Sequence, residues 1–170
     1  IYDYCETLDI GVDTLVHESG PSQIEINLNH GDPLKLADQT FMFKRAVRQV
    51  ALKHGIHATF MAKPHQGQPG SSMHIHQNLV SIKTNKNIFS DDEGKESDAF
   101  YQYIGGLQTY LPDAMVFFAP YVNSYRRFVI DASAPINTHW GFENRTVGLR
   151  VPLSAPESKR VENRICLLYT

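Results

Sequence analysis

Between Ser22 and Asn29 apolar and polar residues alternate strictly. Ile24, Ile26 and Leu28 share one side of an extended chain, and Gln23, Glu25, Asn27 and Asn29 the other, which is the period of a half-buried strand with a polar face. Directly afterwards the period changes. Asp32-Pro33 supplies an N-cap and a proline at the first helical position, and an apolar pattern of helical spacing runs to His54 before Gly55 stops it, predicting a helix over 33–54. Tyr2 to Leu8 reads as an earlier helix, Ile56 to Met61 as a strand, and the Gly- and Pro-rich stretch 63–71 as a loop. Over Ser72 to Val80 the apolar Met73, Ile75 and Leu79 oppose Ser72, His74, His76 and Asn78, so the two histidines share a face. A polar insert over 81–95 predicts a surface turn, and 96–118 a helical pair weakened at Gly105-Gly106 and interrupted at Pro112. Beyond it the alternation returns: 146–151 sets Arg150 apart from Val147, Leu149 and Val151, and 160–164 puts Arg160, Glu162 and Arg164 on one face.

Composition narrows the class. With 42% hydrophobic residues over 170 positions, the chain can bury one core, and no linker or repeat marks a second domain. No apolar run approaches the roughly 20 residues of a membrane helix, and the start lacks a signal-peptide layout, so the expected location is cytoplasmic. Cys5 and Cys166 lie near opposite ends without metal-ligand spacing and read as ordinary thiols of a reducing compartment. A formal charge of −2 gives no reason to expect a nucleic-acid or membrane surface. The distribution of charge says more, because six of the eight arginines fall between Arg126 and Arg164 while seven of the eight lysines precede them. Guanidinium forks suit carboxylates and phosphates, so this stretch is a candidate anion site, with a solvated basic face as the plainer alternative. The missing initial Met and the closing Leu167-Leu168-Tyr169-Thr170 are what a piece cut from a longer protein would show.

Several predicted strands thus reserve one face for Glu25, for His74 and His76, for Arg150, and for Arg160, Glu162 and Arg164. Carboxylate, imidazole and guanidinium groups that converge need one another, a metal or an anion. Glu18, Glu25, Glu162 and His74 make a plausible ligand set for a hard divalent ion such as Mg²⁺ or Mn²⁺. Singly, each glutamate also reads as a surface carboxylate and His74 as a packed histidine.

Longer motifs go further. His17-Glu18-Ser19-Gly20-Pro21-Ser22-Gln23-Ile24-Glu25, Lys63-Pro64 with Gly70-Ser71-Ser72-Met73-His74-Ile75-His76, Asn123-Ser124-Tyr125-Arg126-Arg127, Asn144-Arg145-Thr146 with Arg150-Val151-Pro152, and Arg160-Val161-Glu162-Asn163-Arg164 follow one another along nearly the whole chain. In that order they resemble the catalytic domain of the glutamine synthetase family. The resemblance implies an α+β fold with an antiparallel curved sheet, a half-barrel with a polar concave face and flanking helices, of which residues 1–170 would be an internal part. An N-terminal β-grasp domain and a C-terminal remainder would be absent. It implies an ATP-dependent ligase that phosphorylates glutamate's side-chain carboxylate and lets an amine displace the phosphate, working with two or more Mg²⁺ or Mn²⁺ ions in homo-oligomeric rings.

By the same resemblance, Glu18 and Glu25 match ligands of the metal at the glutamate end, and His74 and Glu162 ligands of the metal at the ATP phosphates. Arg127 and Arg164 match residues that hold glutamate's carboxylates, with Gly70 lending backbone beside them. Arg145 and Arg150 match groups that neutralise the transferred phosphoryl, Arg145 and Arg127 being the catalytic pair. His76, Asn78, Arg150, Arg160 and Asp13 fall at ATP-contacting positions.

The departures are informative. Pro69 stands where glutamine synthetases proper have an asparagine that helps hold glutamate, and Ser133 where a flap glutamate deprotonates ammonium. With His139-Trp140-Gly141, these features look more like the γ-glutamylputrescine or γ-glutamylpolyamine synthetase branch, so a primary amine is the expected acceptor and ammonia the alternative. Leu167 to Thr170 does not follow the family. A non-catalytic metal- or nucleotide-binding relative is a second reading, and creatine and arginine kinases, which share a distantly related fold, a third; those kinases are not expected to show the Met73-His74-Ile75-His76 strand.

Overall fold

In the computed structural model, which describes residues 1–130 and 134–166, a short helix α1 (Tyr2–Thr7) leads into an antiparallel hairpin of β1 (Val12–His17) and β2 (Ile24–Leu28) and then into the long helix α2 (Pro33–Lys53). These elements belong to the first of two compact units, built from residues 1–60 and 64–69. The Ile26 and Leu28 side of β2 packs with Val12, Val47 and Phe60 around buried Cys5, Ile10 and Phe43. β1 escapes a period-2 reading because its register slips between Val12 and Thr14, which leaves Asp13 as the extra residue of a bulge.

Helix α2 begins as the sequence predicts. The Asp32 carboxylate accepts from the backbone N–H groups of Leu34 and Lys35, both at 3.0 Å, with Pro33 at the first helical position. Replacing Asp32 by Ala leaves those donors to water and is expected to cost about 1 kcal/mol, read as a lower midpoint in urea unfolding. The helix ends at Lys53, with Gly55 in the left-handed region at φ +71°. The strand expected over Ile56–Met61 does not form, since none of those residues pairs with a strand. Ile56 N donates back to Ala51 O in the helix-closing turn, and Phe60 goes to the core, so the apolar spacing reflects packing without a ladder.

The second unit comprises Met61–Lys63 and the chain from Gly70 onward. It contains β3 (Ile75–Gln77), α3 (Asp98–Tyr110), α4 (Met115–Phe118), α5 (Val122–Tyr125), β4 (Trp140–Phe142), β5 (Leu149–Val151), a 3₁₀ turn at Pro156–Ser158 and β6 (Val161–Asn163). The strands form one sheet in the order β3-β6-β5-β4. β3–β6 and β6–β5 are antiparallel, but β5–β4 is parallel, so the sheet is mixed rather than purely antiparallel. The architecture is α+β, and among the described residues there are two separate sheets and no closed barrel.

The strand expected over 72–80 shortens to three residues because the chain turns into the polar insert, which folds back through a bridge between Val80 and Asn87. The strand expected over 146–151 likewise shortens. Both the N–H and the hydroxyl of Thr146 bind Asn144 Oδ1, which curls the chain before Leu149. Helix α3 is capped by the Ser97 hydroxyl and runs unbroken through Gly105-Gly106, where packing outweighs the glycine penalty, then stops ahead of Pro112. Phe100 and Ile104 of α3 join Phe89, Leu111, Leu149, Val151, Val161 and Ile165 in the principal core. Among the described residues no helix is long and apolar enough to cross a membrane. Cys5 and Cys166 are buried, and neither forms a disulfide.

Candidate active site

Because Leu149, Val151 and Val161 are drawn into the apolar core, the residues between them on β5 and β6 point to the opposite side of the sheet. The register then sets Arg150 opposite Glu162 and Glu162 opposite His76. Glu162 is only 2% exposed, and its carboxylate is nearly surrounded by donors. Arg150 Nη1 donates to Oε2 at 2.8 Å, Arg164 Nη1 to Oε1 at 2.6 Å, and His74 Nδ1 lies 3.1 Å from Oε1. Burial alone would raise the pKa of this carboxyl, but His74, Arg164 and Arg150 outweigh it and hold the group well below the usual carboxylate range. The other ring nitrogen of His74 lies 2.9 Å from Ser72 Oγ, so the serine hydroxyl fixes the ring.

Along the same face, Arg160 Nε donates to His76 Nδ1 at 3.1 Å and its Nη1 to the Ser158 carbonyl. Desolvation, together with the nearby Arg160, His74 and Arg150, keeps the His76 pKa below the ordinary histidine value, against the pull of Glu162. A neutral ring that accepts at Nδ1 satisfies this geometry. Asn78 follows β3 and is exposed, as is Arg145 in the turn before β5.

Arg127 and Arg164 form a second feature. Both are buried, Arg127 at 6% and Arg164 at 7% exposure. Arg127 Nη1, Arg150 Nε and Arg164 Nε find no hydrogen-bond partner among the described residues. Burial and the charge of Arg164 push the Arg127 pKa down to about 10. Gly70 lies against this side chain: a Cβ there would sit 2.6 Å from the Ala62 carbonyl and 3.1 Å from Arg127 Cγ, so only glycine fits without displacement.

In the first unit, Glu25 pairs with Val16, and Glu18 follows two residues beyond Val16, its N–H bonded to the Gln23 carbonyl. Both glutamates therefore belong to one face of the hairpin. Asp13, at the bulge, is exposed. His74 and Glu162 lie side by side in the second unit, and among the described residues no three His, Cys, Asp or Glu side chains gather to hold one ion. Ser133 lies outside the described residues.

Two groups were not anticipated from sequence. Glu143 accepts from Arg150 Nη2 at 2.8 Å and from the Leu153 N–H at 2.6 Å. Lys159 is buried against the Glu96 carboxylate, and Asn87 donates to the Glu157 and Lys159 carbonyls, tying the polar insert to the segment that carries Arg160. A carboxylate inside an arginine-rich stretch was the available signal for Glu143. Nothing in the spacing of Glu96 and Lys159 foretells their pairing.

In the second unit Arg150 and Arg164 pair with the carboxylates of Glu143 and Glu162, and among the described residues buried guanidinium nitrogens of Arg127, Arg150 and Arg164 are left without a hydrogen-bond partner. Guanidinium donors of this kind suit an anion, and the imidazole–carboxylate pair of His74 and Glu162 has donor atoms suited to a hard cation. Residues 1–166 match the family model for the catalytic domain of glutamine synthetase, and the chain belongs to that family. It is 43% identical over 159 residues to the γ-glutamylputrescine synthetase PuuA of Escherichia coli strain K12, covering 92% of this chain and 33% of that protein. It is 40% identical over 164 residues to a glutamine synthetase of Pyrococcus horikoshii, covering 96% of this chain and 36% of the relative. It is 37% identical over 164 residues to a glutamate–isopropylamine ligase of a Pseudomonas species, covering 95% and 36%. The chain thus spans about a third of the length of these curated relatives.

Proposed function

We propose that the protein carrying this chain is an ATP-dependent ligase that joins the side-chain carboxylate of glutamate to a primary amine or polyamine such as putrescine. The observation that carries this reading is the buried Glu162 carboxylate bracketed by His74, Arg150 and Arg164, with buried Arg127, whose Nη1 has no hydrogen-bond partner among the described residues, close enough to Arg164 to feel its charge. Glutamate and ATP are both anions, and bringing them together needs surplus positive charge held in place before they arrive.

The reaction runs in two displacements. An oxygen of the side-chain carboxylate attacks the γ-phosphorus of ATP, the bond to the bridging oxygen breaks, and ADP leaves γ-glutamyl phosphate behind. The amine lone pair then adds to the acyl carbon, phosphate departs, and the nitrogen loses a proton. Arg127 and Arg164, with the backbone at Gly70, hold glutamate's carboxylates. Arg145 and Arg150 neutralise charge on the transferred group, while His76, Asn78, Arg160 and Asp13 contact the nucleotide. Ser133 has no carboxylate with which to take a proton from ammonium, which favours an amine acceptor over ammonia. Two of the relatives bear names that pair glutamate with an amine.

Magnesium or manganese fits the donor set. His74 Nδ1 and Glu162 Oε1 are 3.1 Å apart, close to the spacing of neighbouring ligands on an octahedral ion with bonds of about 2.1 Å. Such ions commonly take only one or two protein carboxylates and complete their shell with phosphates and water. His74 and Glu162 would hold one ion and Glu18 and Glu25 another. When bound, these ions supply charge neutralisation at the phosphoryl oxygens. In the same reading the four-stranded sheet belongs to a larger curved half-barrel with a polar concave side, and the whole protein adds a β-grasp domain and assembles into rings in the cytoplasm.

The test is ADP release by the whole protein with glutamate and, separately, putrescine, isopropylamine, methylamine or ammonium. Putrescine is expected to give the fastest turnover. Ammonium as the sole productive acceptor overturns the polyamine assignment, and no turnover with any acceptor favours a non-catalytic binding protein.

A further inference from the structure

β4 and β5 are parallel neighbours joined only by residues 143–148, a far shorter link than the dozen or more residues parallel strands usually need. The chain must reverse sharply twice to make it. Glu143 makes the first reversal, in the left-handed region at φ +48°, where a residue with a Cβ sits at some cost and is kept only if its surroundings hold it. Three interactions hold it here. Its N–H donates to Val151 O at 3.0 Å, one carboxylate oxygen accepts from the Leu153 N–H at 2.6 Å, and the other accepts from Arg150 Nη2 at 2.8 Å.

The consequence falls on Arg150. Its two terminal nitrogens are clamped between two carboxylates, Nη1 by buried Glu162 and Nη2 by Glu143. Because Glu162 also accepts from Arg164 and His74, it cannot fix the plane of the Arg150 guanidinium alone. The Glu143 side chain is 44% exposed, and an ion pair with one exposed partner adds little stability. A guanidinium fixed from both ends, however, cannot turn away from the charge it is to meet.

We propose that Glu143 is a positioning residue that sets the orientation of Arg150 for the transferred phosphoryl group. The assignment rests on the reading of Arg150 as a phosphoryl-neutralising group. Glu143 acts on the reaction through Arg150, whose Nη2 its carboxylate holds.

Glu143→Gln keeps an oxygen for the Leu153 N–H and removes only the charge facing Arg150. In the whole protein, kcat for ATP-dependent amide formation is expected to fall about tenfold or more, with the KM for ATP and the thermal unfolding midpoint nearly unchanged. The same substitution in an Arg150→Lys background is expected to add no further loss. Four outcomes are separable. Loss of kcat in Glu143→Gln that vanishes in the Arg150→Lys background supports the assignment. Undiminished kcat in Glu143→Gln beside a damaged Arg150→Lys overturns it and leaves the ligase reading intact. Losses that multiply in the double variant overturn it as well, because Glu143 would then act independently of Arg150. Full activity in Arg150→Lys removes the role of Arg150 itself and the proposal with it.

Discussion

Glu162→Gln is expected to weaken folding by about 3 kcal/mol or more and to lower ATP-dependent turnover at least a hundredfold. The substitution keeps the shape of the side chain and deletes its charge. At 2% exposure water cannot replace that charge, and the Arg150 and Arg164 guanidinium groups lose a shared counter-ion in a region where both are largely covered. Breaking a buried pair by removing one partner is costly because the other charge stays behind. The same carboxylate sets a dependence on acid. Its pKa is lowered in the folded protein, since His74, Arg164 and Arg150 more than offset the effect of burial. Its stabilising contribution is therefore complete above the unfolded carboxylate value of about 4.3 and declines as the pH falls below that toward the folded value. Urea midpoints measured between about pH 3 and pH 7 should fall with acid more steeply in the unsubstituted protein than in Glu162→Gln. Equal slopes, with equal stability at neutral pH, would show that Glu162 carries no such load.

The helix over 33–54 and the β2 alternation were legible because their signals are local: Asp32-Pro33 at one end, Gly55 at the other, and an unbroken period between them. The polar residues of β5 and β6 were legible for a related reason, since Leu149, Val151 and Val161 alternate with Arg150 and Glu162 whatever the neighbouring strands are. Pairing was not. That Arg150 stands opposite Glu162, and Glu162 opposite His76, is a matter of register between strands separated by loops of different length, and no residue type encodes it alone. β1 was hidden by its bulge at Asp13, and β4 by an aromatic run, Trp140-Gly141-Phe142, too short to show a period. The parallel pairing of β4 with β5 depends on the left-handed backbone at Glu143, which a glutamate does not announce. The boundary between the compact units near residues 60–70 falls at the Gly- and Pro-rich stretch 63–71, which read from sequence only as a loop.

Arg127→Met is expected to move stability and function in opposite directions. A residue that served only the fold would lower both when lost. Arg127 is 6% exposed, its Nη1 has no hydrogen-bond partner among the described residues, and Arg164 adds like-charge repulsion. A guanidinium pKa pushed down to about 10 by burial and that repulsion means the folded protein holds the charge at a cost. An apolar side chain of similar reach removes that cost. The thermal midpoint should therefore stay level or rise. Under the proposed reading, the function lost is the pairing of the guanidinium with a glutamate carboxylate, a charge-assisted contact in a covered site, so the KM for glutamate should rise about a hundredfold or more while the KM for ATP changes little. Glutamate itself should raise the thermal midpoint of the unsubstituted protein and not that of the variant, because a ligand stabilises only the state that binds it. A variant that is less stable and still saturates with glutamate at the original concentration would mean that the buried guanidinium is a structural element whose partner is something other than the substrate.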